Sequence, residues 1–376
     1  MKFTTLYHLI FVVKIKNNMK LCIIGNSLSA LTLASALVNE KIAVDVFFSE
    51  KKVKSNLTRT IGISKSNIEY FNANILNVEK FFWKLNKIEI YTDNLKNEKL
   101  LNFEDPNKYL FSIIKNSKLK EILRNNLNKN KFYKEKVFNK KINIIKNYDL
   151  VINTDFNNSI MKKYFSKKII KSYNSIAYTT IISHDKIENN TAVQIFTKKG
   201  PIAFLPISNC QTSIVFSIHN SQLKKNENIY ELIKLYNLVY KINKFEKIEL
   251  AELKSFNLRS YYKENVLAFG DLIHRIHPLA GQGFNMTIRD TMILMKIIKN
   301  KLSTGLPIDS SVNKEFERKS KHMNFIFSNS IDFIYEYFNF ERKIQNNFLS
   351  KSVQIIGNYK PINNIFTKIA DKGIFI

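Results

Sequence analysis

Residues 20–48 run from an unbroken apolar strand, LCIIG, through a tight turn at Asn26 to Ser29 and an Ala/Leu-rich stretch ending at Val38, into a second apolar strand, IAVDVFF. A strand with no polar face needs cover on both sides, and a helix of small residues returning to a second such strand supplies it. This opening commits the chain to a βαβ unit and a parallel sheet. The turn Gly25-Asn26-Ser27-Leu28-Ser29-Ala30 stands where a G-x-G-x-x-G dinucleotide fingerprint would, and keeps its first glycine. Gly25 permits the sharp reversal, and Ser27 and Ala30 are small enough for a pyrophosphate to approach the amides of the helix N-terminus. An ordinary tight turn is the competing reading. The acidic residue that should bond ribose hydroxyls after the second strand falls by spacing near Phe48; Glu50 serves only if that strand runs on.

The rest of the chain is consistent with an α/β protein carrying an inserted second layer. Residues 61–130 have mostly helical, polar spacing with a short strand-like KIEIYT at 87–92, and YDLVINT at 148–154 reads as another buried strand. Between Ser172 and His219 the period changes to two, in IAYTTIIS, AVQIFT, IAFLPI and TSIVFSI, which predicts an antiparallel sheet of three or four strands. VLAFGD at 266–271 returns to the parallel type, and everything beyond Phe284 is helical. The chain has nine glycines, and Gly270, Gly281 and Gly283 fall together in FGDLIHRIHPLAGQGFN, just before a long amphipathic run through Ile288, Met292, Met295 and Ile298. Clustered glycine marks backbone that must come close to something. The stretch predicts a bare helix N-terminus aimed at a ligand and able to stabilise partial negative charge.

Composition narrows the function classes. At roughly 150 residues per domain, 376 residues make two to three domains, and 45% apolar with 24% charged residues is a globular mixture. The excess of 59 basic over 31 acidic residues gives +28, which suits phosphate or anionic lipid. Lys, Asn and Ile are nonetheless used wherever they are tolerated, as in 115–146, so the charge selects no partner, and the dispersed basic residues lack an aromatic-interleaved motif for nucleic acid. Cys22 and Cys210 form no framework and no CxxC, the pattern of a reduced, intracellular chain. The apolar patch 9–13 falls short of the about 20 residues that a membrane span needs, and MKLCIIG suggests synthesis from Met19, with 1–18 a mis-started or disordered extension. His274 and His277 make poor zinc ligation, three apart in a Gly-Pro loop. His184 and His219 read as strand-face residues, and Ser64 and Ser66 lack a nucleophile elbow.

GDLIHRIHPLAGQGFN resembles the G-D-A-A-H-x-x-H-P-x-A-G-Q-G-x-N segment of FAD-dependent aromatic hydroxylases, most closely the branch that hydroxylates polyprenylated phenols in ubiquinone biosynthesis. LCIIGNSLSALTLASAL looks like that family's first FAD-binding unit, RTIGIS carries Arg59 like its cofactor-reaching arginine, YDLVINTDFNNSIMKK is similar to its G-A-D-G-x-x-S-x-x-R motif, and GPIAFLPI matches the strands bordering its substrate cavity. The resemblance implies a Rossmann-like FAD-binding parallel sheet (19–75, 108–170 and 262–305), an antiparallel-sheet substrate domain (76–107 and 171–261) and a helical C-terminal region (306–376). It implies cofactor contacts at Gly25, Ser27, Ala30, Glu50, Arg59, Asp155, Gly270, Asp271, Gly281, Gln282, Gly283, Phe284 and Asn285. Pro278, Leu279, Ala280 and Gly281 would support the flavin, and Phe204, Pro206 and Pro278 would line the substrate cavity. The implied activity is monooxygenation of a polyprenylated phenol with NAD(P)H and O2 through a flavin C4a-hydroperoxide, in a cytoplasmic, peripherally membrane-associated protein that meets other quinone-biosynthesis enzymes. A degenerate flavoprotein or a cofactor-poor accessory subunit is the alternative, because Asn153 and Phe156 stand for glycines, Lys162 for arginine, and Leu272 and Ile273 for alanines. The tail's Phe325, Ile326, Phe327, Ile331, Phe333 and Ile334 belong either to core or to a membrane-facing surface.

Overall fold

The computed structural model describes residues 19–49, 58–96, 98–105, 109–138, 144–224, 227–344 and 347–373. In chain order, β1 (Leu21–Ile24), α1 (Leu28–Asn39) and β2 (Val44–Phe48) are followed by β3 (Thr60–Ser64), α2 (Lys65–Asn74), β4 (Trp83–Leu85), β5 (Lys87–Thr92), β6 (Lys99–Glu104) and β7 (Phe111–Lys115). Then come α3 (Asn116–Leu127), β8 (Tyr133–Val137), α4 (Ile144–Asn147), β9 (Leu150–Asn153) and α5 (Ser159–Tyr164). The strands β10 (Lys168–His184), β11 (Thr191–Thr197), β12 (Gly200–Ser208) and β13 (Gln211–His219) precede α6 (Ile229–Leu235), β14 (Ile242–Phe245) and β15 (Glu249–Leu258). β16 (Tyr262–Lys263), β17 (Val266–Ala268) and β18 (His274–Arg275) lead into α7 (Gln282–Ser303), α8 (Ser310–Ile344), α9 (Phe348–Asn358) and α10 (Lys360–Lys372).

Six strands form the first sheet, in the order β16-β17-β9-β1-β2-β8. β1 pairs in parallel with β2, Leu21 opposite Val44, and with β9, Leu21 opposite Leu150. Every residue of α1 from Ser29 to Val38 is buried, which is why the helix is written in small and aliphatic residues: it lies between the sheet and the helices α3 and α7. Each fully buried Leu or Ile there, such as Leu33 and Leu37, contributes about 1.5–3 kcal/mol.

The second sheet has nine strands rather than three or four, in the order β18-β15-β10-β13-β12-β11-β5-β6 with β14 against β10. KIEIYT is β5, and it extends this sheet by pairing in parallel with β11. A third sheet, β3-β7-β4, lies nearby. The expectation of a mostly helical 61–130 is therefore corrected: its described residues hold five strands, the first beginning at Thr60. KIEIYT is the one piece that the pattern marks as a strand; KLLNFE of β6, partly buried along most of its length, lacks the apolar alternation that identifies one. One face of the second sheet is covered by α6, whose Leu232 and Ile233 pack on Ile202, Phe204 and Phe216; the opposite face meets Leu279, Met286 and α8.

Candidate functional site

Three segments converge at the carboxyl ends of β1, β9 and β17, where open parallel sheets bind ligands. Gly25 has φ +120°, and its N–H donates to the Phe47 carbonyl at 2.7 Å. A Cβ added to it would lie 2.3 Å from Thr154 Oγ1, in the turn after β9. Ser27 caps α1 by accepting from the Ala30 N–H at 3.2 Å. Gly270, at φ +65°, would bring a Cβ to 2.5 Å from Ser29 Cβ, so the turn after β17 rests directly on the first residues of α1. Asp155 is half-buried and Asp271 exposed at this crevice. Arg59 is exposed just before β3, and Glu50 lies outside the described residues.

The bulky departures from the family pattern turn away from the crevice. Leu272 and Ile273 are fully buried in the core beneath the first sheet, with Leu258 and Tyr261. Phe156 sits edge-on to Phe256, ring centroids 5.2 Å apart. Asn153 is buried and holds its own turn, its Oδ1 accepting from the Asp155 N–H at 3.1 Å and from Asn158 Nδ2 at 2.7 Å. Lys162 is an exposed residue of α5.

The second half of the site is the start of α7. Its N-cap, Gly281, has φ +64°, no side chain caps the helix, and its first turn carries no carboxylate. The leading amides of such a helix have no intrahelical acceptor. Gly281 is packed against β3, a Cβ on it falling 3.3 Å from the Gly62 nitrogen, whereas a Cβ on Gly283 would meet nothing within 4 Å. One side of this helix start is clamped and the other faces open space. The clamp is Asn285, fully buried, whose Oδ1 accepts from the Ser64 N–H at 2.9 Å and whose Nδ2 donates to the Gly62 carbonyl at 3.0 Å. With its side chain so engaged, Asn285 positions the helix start and leaves no side-chain group for a cofactor. The same holds for Phe284, which packs against Phe71. Gln282 donates to the Ala370 carbonyl at 3.3 Å, and its Oε1 has no partner among the described residues. Pro278 is exposed, Leu279 is buried against the second sheet, and Ala280 follows in the same turn.

Two of the residues that the resemblance assigns to a substrate cavity lie on the α6 face of the second sheet. Phe204 is buried under α6, and strand alternation puts Pro206 on the same face. The residues of β12 that face the small third sheet are the odd-numbered ones, among them Leu205 and Ile207.

The histidines of the loop are structural on one side and unsatisfied on the other. His274 Nε2 lies 2.6 Å from Asp290 Oδ2, both groups about 1% exposed, and Asp290 Oδ1 accepts from Asn324 Nδ2 at 3.0 Å. This bridge ties the loop to α7 and α8. Asp290, like Thr154, is a residue that the sequence pattern did not single out. His277 is packed between Tyr173 and Tyr335, with centroids at 4.8 and 4.4 Å, and neither ring nitrogen has a partner among the described residues. Burial, aided by nearby Lys171, pushes its pKa down to about 3, so the ring stays neutral.

These features fit a dinucleotide flavin: a turn at Gly25 that a side chain would fill, the capped N-terminus of α1, and a bare helix start open at Gly283. The family model described as FAD binding domain matches residues 193–306, from β11 through α7. The chain is 26% identical over 273 residues to the mitochondrial ubiquinone biosynthesis monooxygenase COQ6 of Dictyostelium discoideum, covering 59% of this chain and 55% of that protein. It is 29% identical over 156 residues to the 3-demethoxyubiquinol 3-hydroxylase of Escherichia coli, covering 39% of each. The chain spans about half the length of the curated relatives it matches. Among solved structures it shares its fold with p-nitrophenol 4-monooxygenase PnpA of Pseudomonas putida, at TM-score 0.74 and 12% identity over 95% of this chain and 99% of that one. It shares it equally with HpxO of Klebsiella pneumoniae, crystallised with FAD and uric acid, at TM-score 0.73 and 12% identity over 95% and 98%.

Proposed function

We propose that this chain, a relative of the FAD-dependent aromatic hydroxylases of the ubiquinone-biosynthesis branch, is itself a FAD-dependent monooxygenase acting on a polyprenylated phenol. The observation that carries this reading is the start of α7, uncapped, free of carboxylates and open at Gly283, beside the Gly25–Gly270 crevice. Bound FAD would supply the redox and oxygen chemistry, so that NAD(P)H, a proton, O2 and the phenol give NAD(P)+, water and the hydroxylated ring. The chain's residues hold and insulate. The Gly25 turn and the α1 amides would take the pyrophosphate, and Asp155 and Asp271 would accept hydrogen bonds from the sugar side. The Gln282, Gly283 and Phe284 amides would stabilise the negative charge that the ring gains on reduction. Asn285 holds that helix start against β3, and the second sheet keeps water from the reacting centre.

Purified protein reconstituted with FAD is expected to be yellow and to consume NAD(P)H in step with hydroxylation of a prenylated phenol. Protein that stays colourless with excess FAD overturns this reading. A colourless chain that still captures quinone-biosynthesis hydroxylases favours the accessory-subunit alternative.

A specific surface supports membrane contact. In α10, Asn363 donates inward to the Asn102 carbonyl at 3.0 Å and Asp371 accepts from the Ser66 N–H at 2.8 Å, while Ile365 and Phe366 are exposed. In α9, Ser350 and Gly357 are buried and Gln354 donates to the Lys99 carbonyl at 2.8 Å, whereas Phe348 and Ile355 are 70% and 72% exposed. Both helices thus turn polar faces to the protein and apolar faces outward. Phe333 and Phe340 of α8 are likewise exposed. Lysines 343, 351, 360, 368 and 372 accompany them, with inward-facing Asp371 the one carboxylate between 343 and 373. That combination suits an anionic lipid surface. No described helix is long and apolar enough to cross a membrane. The protein is expected to sediment with anionic liposomes at low salt, and a Phe348→Ser/Ile355→Ser variant to sediment at least several-fold less. Equal sedimentation of the two would remove this surface from the account.

A further inference from the structure

A groove of about 790 Å³ lies between the ends of β10 and β15, the β16 turn and the first half of α8. That volume is in the range of small-molecule sites, and the groove takes no part in the flavin crevice described above. Lys314, Arg318 and His322 line it from α8 at intervals of four residues, which puts them on one face of that helix. Arg259 lines it from the segment after β15. Glu317, the one carboxylate among the described residues lining the groove, is already engaged: it accepts from the Tyr261 N–H at 2.8 Å and pairs with Lys321 at 3.0 Å. Arg259, Lys314 and Arg318 form no ion pair among those found between described residues.

In a chain with a net charge of +28, a basic surface alone says little. The choice of basic residue says more. The chain has only seven arginines, at 59, 124, 259, 275, 289, 318 and 342, so lysine makes up the other 59 − 7 = 52 of its basic residues. Where a solvated positive charge suffices, this sequence writes lysine. Two of the seven arginines and one of the six histidines line this single groove. A guanidinium differs from an ammonium in presenting a planar fork that grips phosphate with two parallel hydrogen bonds. The rest of the lining is largely apolar, from Ile169, Leu258, Tyr261, Tyr262 and half-exposed Phe325. Two arginines in a groove also lined by tyrosine and phenylalanine match a ligand that joins a phosphate to a planar or apolar group.

We propose that this groove is a binding site for an organic phosphate, gripped by Arg259 and Arg318. The same chemistry is presented by a soluble nucleotide and by a lipid headgroup, and titration of FAD-loaded protein separates them. ADP and short-chain phosphatidic acid, kept below its micelle concentration, are each titrated calorimetrically at low salt into the wild type, Arg259→Gln/Arg318→Gln, Arg318→Lys, and a control in which exposed Lys118 and Lys263 become Gln. Binding of at least one ligand is expected, weakened at least tenfold in the double arginine variant and partly by Arg318→Lys, with the lysine control unchanged. Binding of ADP alone identifies a nucleotide site, and of phosphatidic acid alone a headgroup site. The proposal is overturned if neither ligand binds, or if the lysine control weakens binding as much as the arginine pair does. Both arginines are exposed, so the variants should melt with the wild type. The test reads the groove alone, whether or not the protein proves to be a hydroxylase.

Discussion

Gly25→Ala is expected to destabilise the protein by about 2–4 kcal/mol, from an L-residue held at positive φ and a steric clash, and to yield protein without flavin. Two causes act together and can be separated. The first is backbone strain, since φ is +120° at this position. The second is the clash with Thr154 Oγ1, which has little room to yield: the hydroxyl donates to the Ile24 carbonyl at 3.0 Å and Thr154 is 5% exposed. Thr154→Ala alone should cost about 1 kcal/mol for the lost hydrogen bond. In Gly25→Ala/Thr154→Ala the clash is gone and the strain remains, so the double variant should be more stable than Gly25→Ala by chemical denaturation. Flavin content, read from absorbance, should recover only partly, because the strained turn no longer presents the α1 amides correctly. Wild-type flavin content in Gly25→Ala would mean that this turn holds no cofactor.

The parts of the molecule legible in the sequence are those fixed by local chemistry. The first βαβ unit could be read because burial on both faces leaves a strand no polar residues, and β17 for the same reason. The uncapped start of α7 was visible because glycine is scarce elsewhere in the chain. What escaped depends on long-range pairing. β5 joins β11 from about a hundred residues away, and nothing in KIEIYT itself marks a partner. Both faces of β12 are covered, so the apolar pattern of GPIAFLPI cannot tell which side chains face α6, as Phe204 does, and which face the third sheet, as Leu205 and Ile207 do. The clamp made by Asn285 could not be read from spacing, because Ser64 and Gly62, which it holds, lie more than two hundred residues earlier. Leu272 and Ile273, standing where the resemblance has alanines, predict by their bulk a crowded turn after Asp271. They fill the core instead, since the short helical turn after β17 points them inward.

Asp290 shows most directly how a buried contact, invisible to spacing, governs the loop. Asp290→Ala is expected to cost about 3–5 kcal/mol, the usual penalty for removing one member of a buried charged or strongly hydrogen-bonded pair. The carboxylate receives both His274 and Asn324, and its loss strands two polar side chains where water does not reach. Asp290→Asn keeps one acceptor oxygen and should cost less, about 1–3 kcal/mol. The consequence for the site follows from where His274 sits. It pairs opposite Asn257 in β18, at the head of the loop that runs through Pro278 to the start of α7. Loosening His274 therefore lets the amides of that helix start drift from the flavin. A purely global loss of stability would act differently, and Ile233→Ala provides the comparison. Ile233 is fully buried under the second sheet, away from the loop, and its truncation should cost a similar about 2–5 kcal/mol. At a temperature where both variants remain folded, Asp290→Ala should bind FAD at least tenfold more weakly than Ile233→Ala does. Equal FAD affinity in the two would reduce the His274–Asp290 bridge to ordinary core stabilisation.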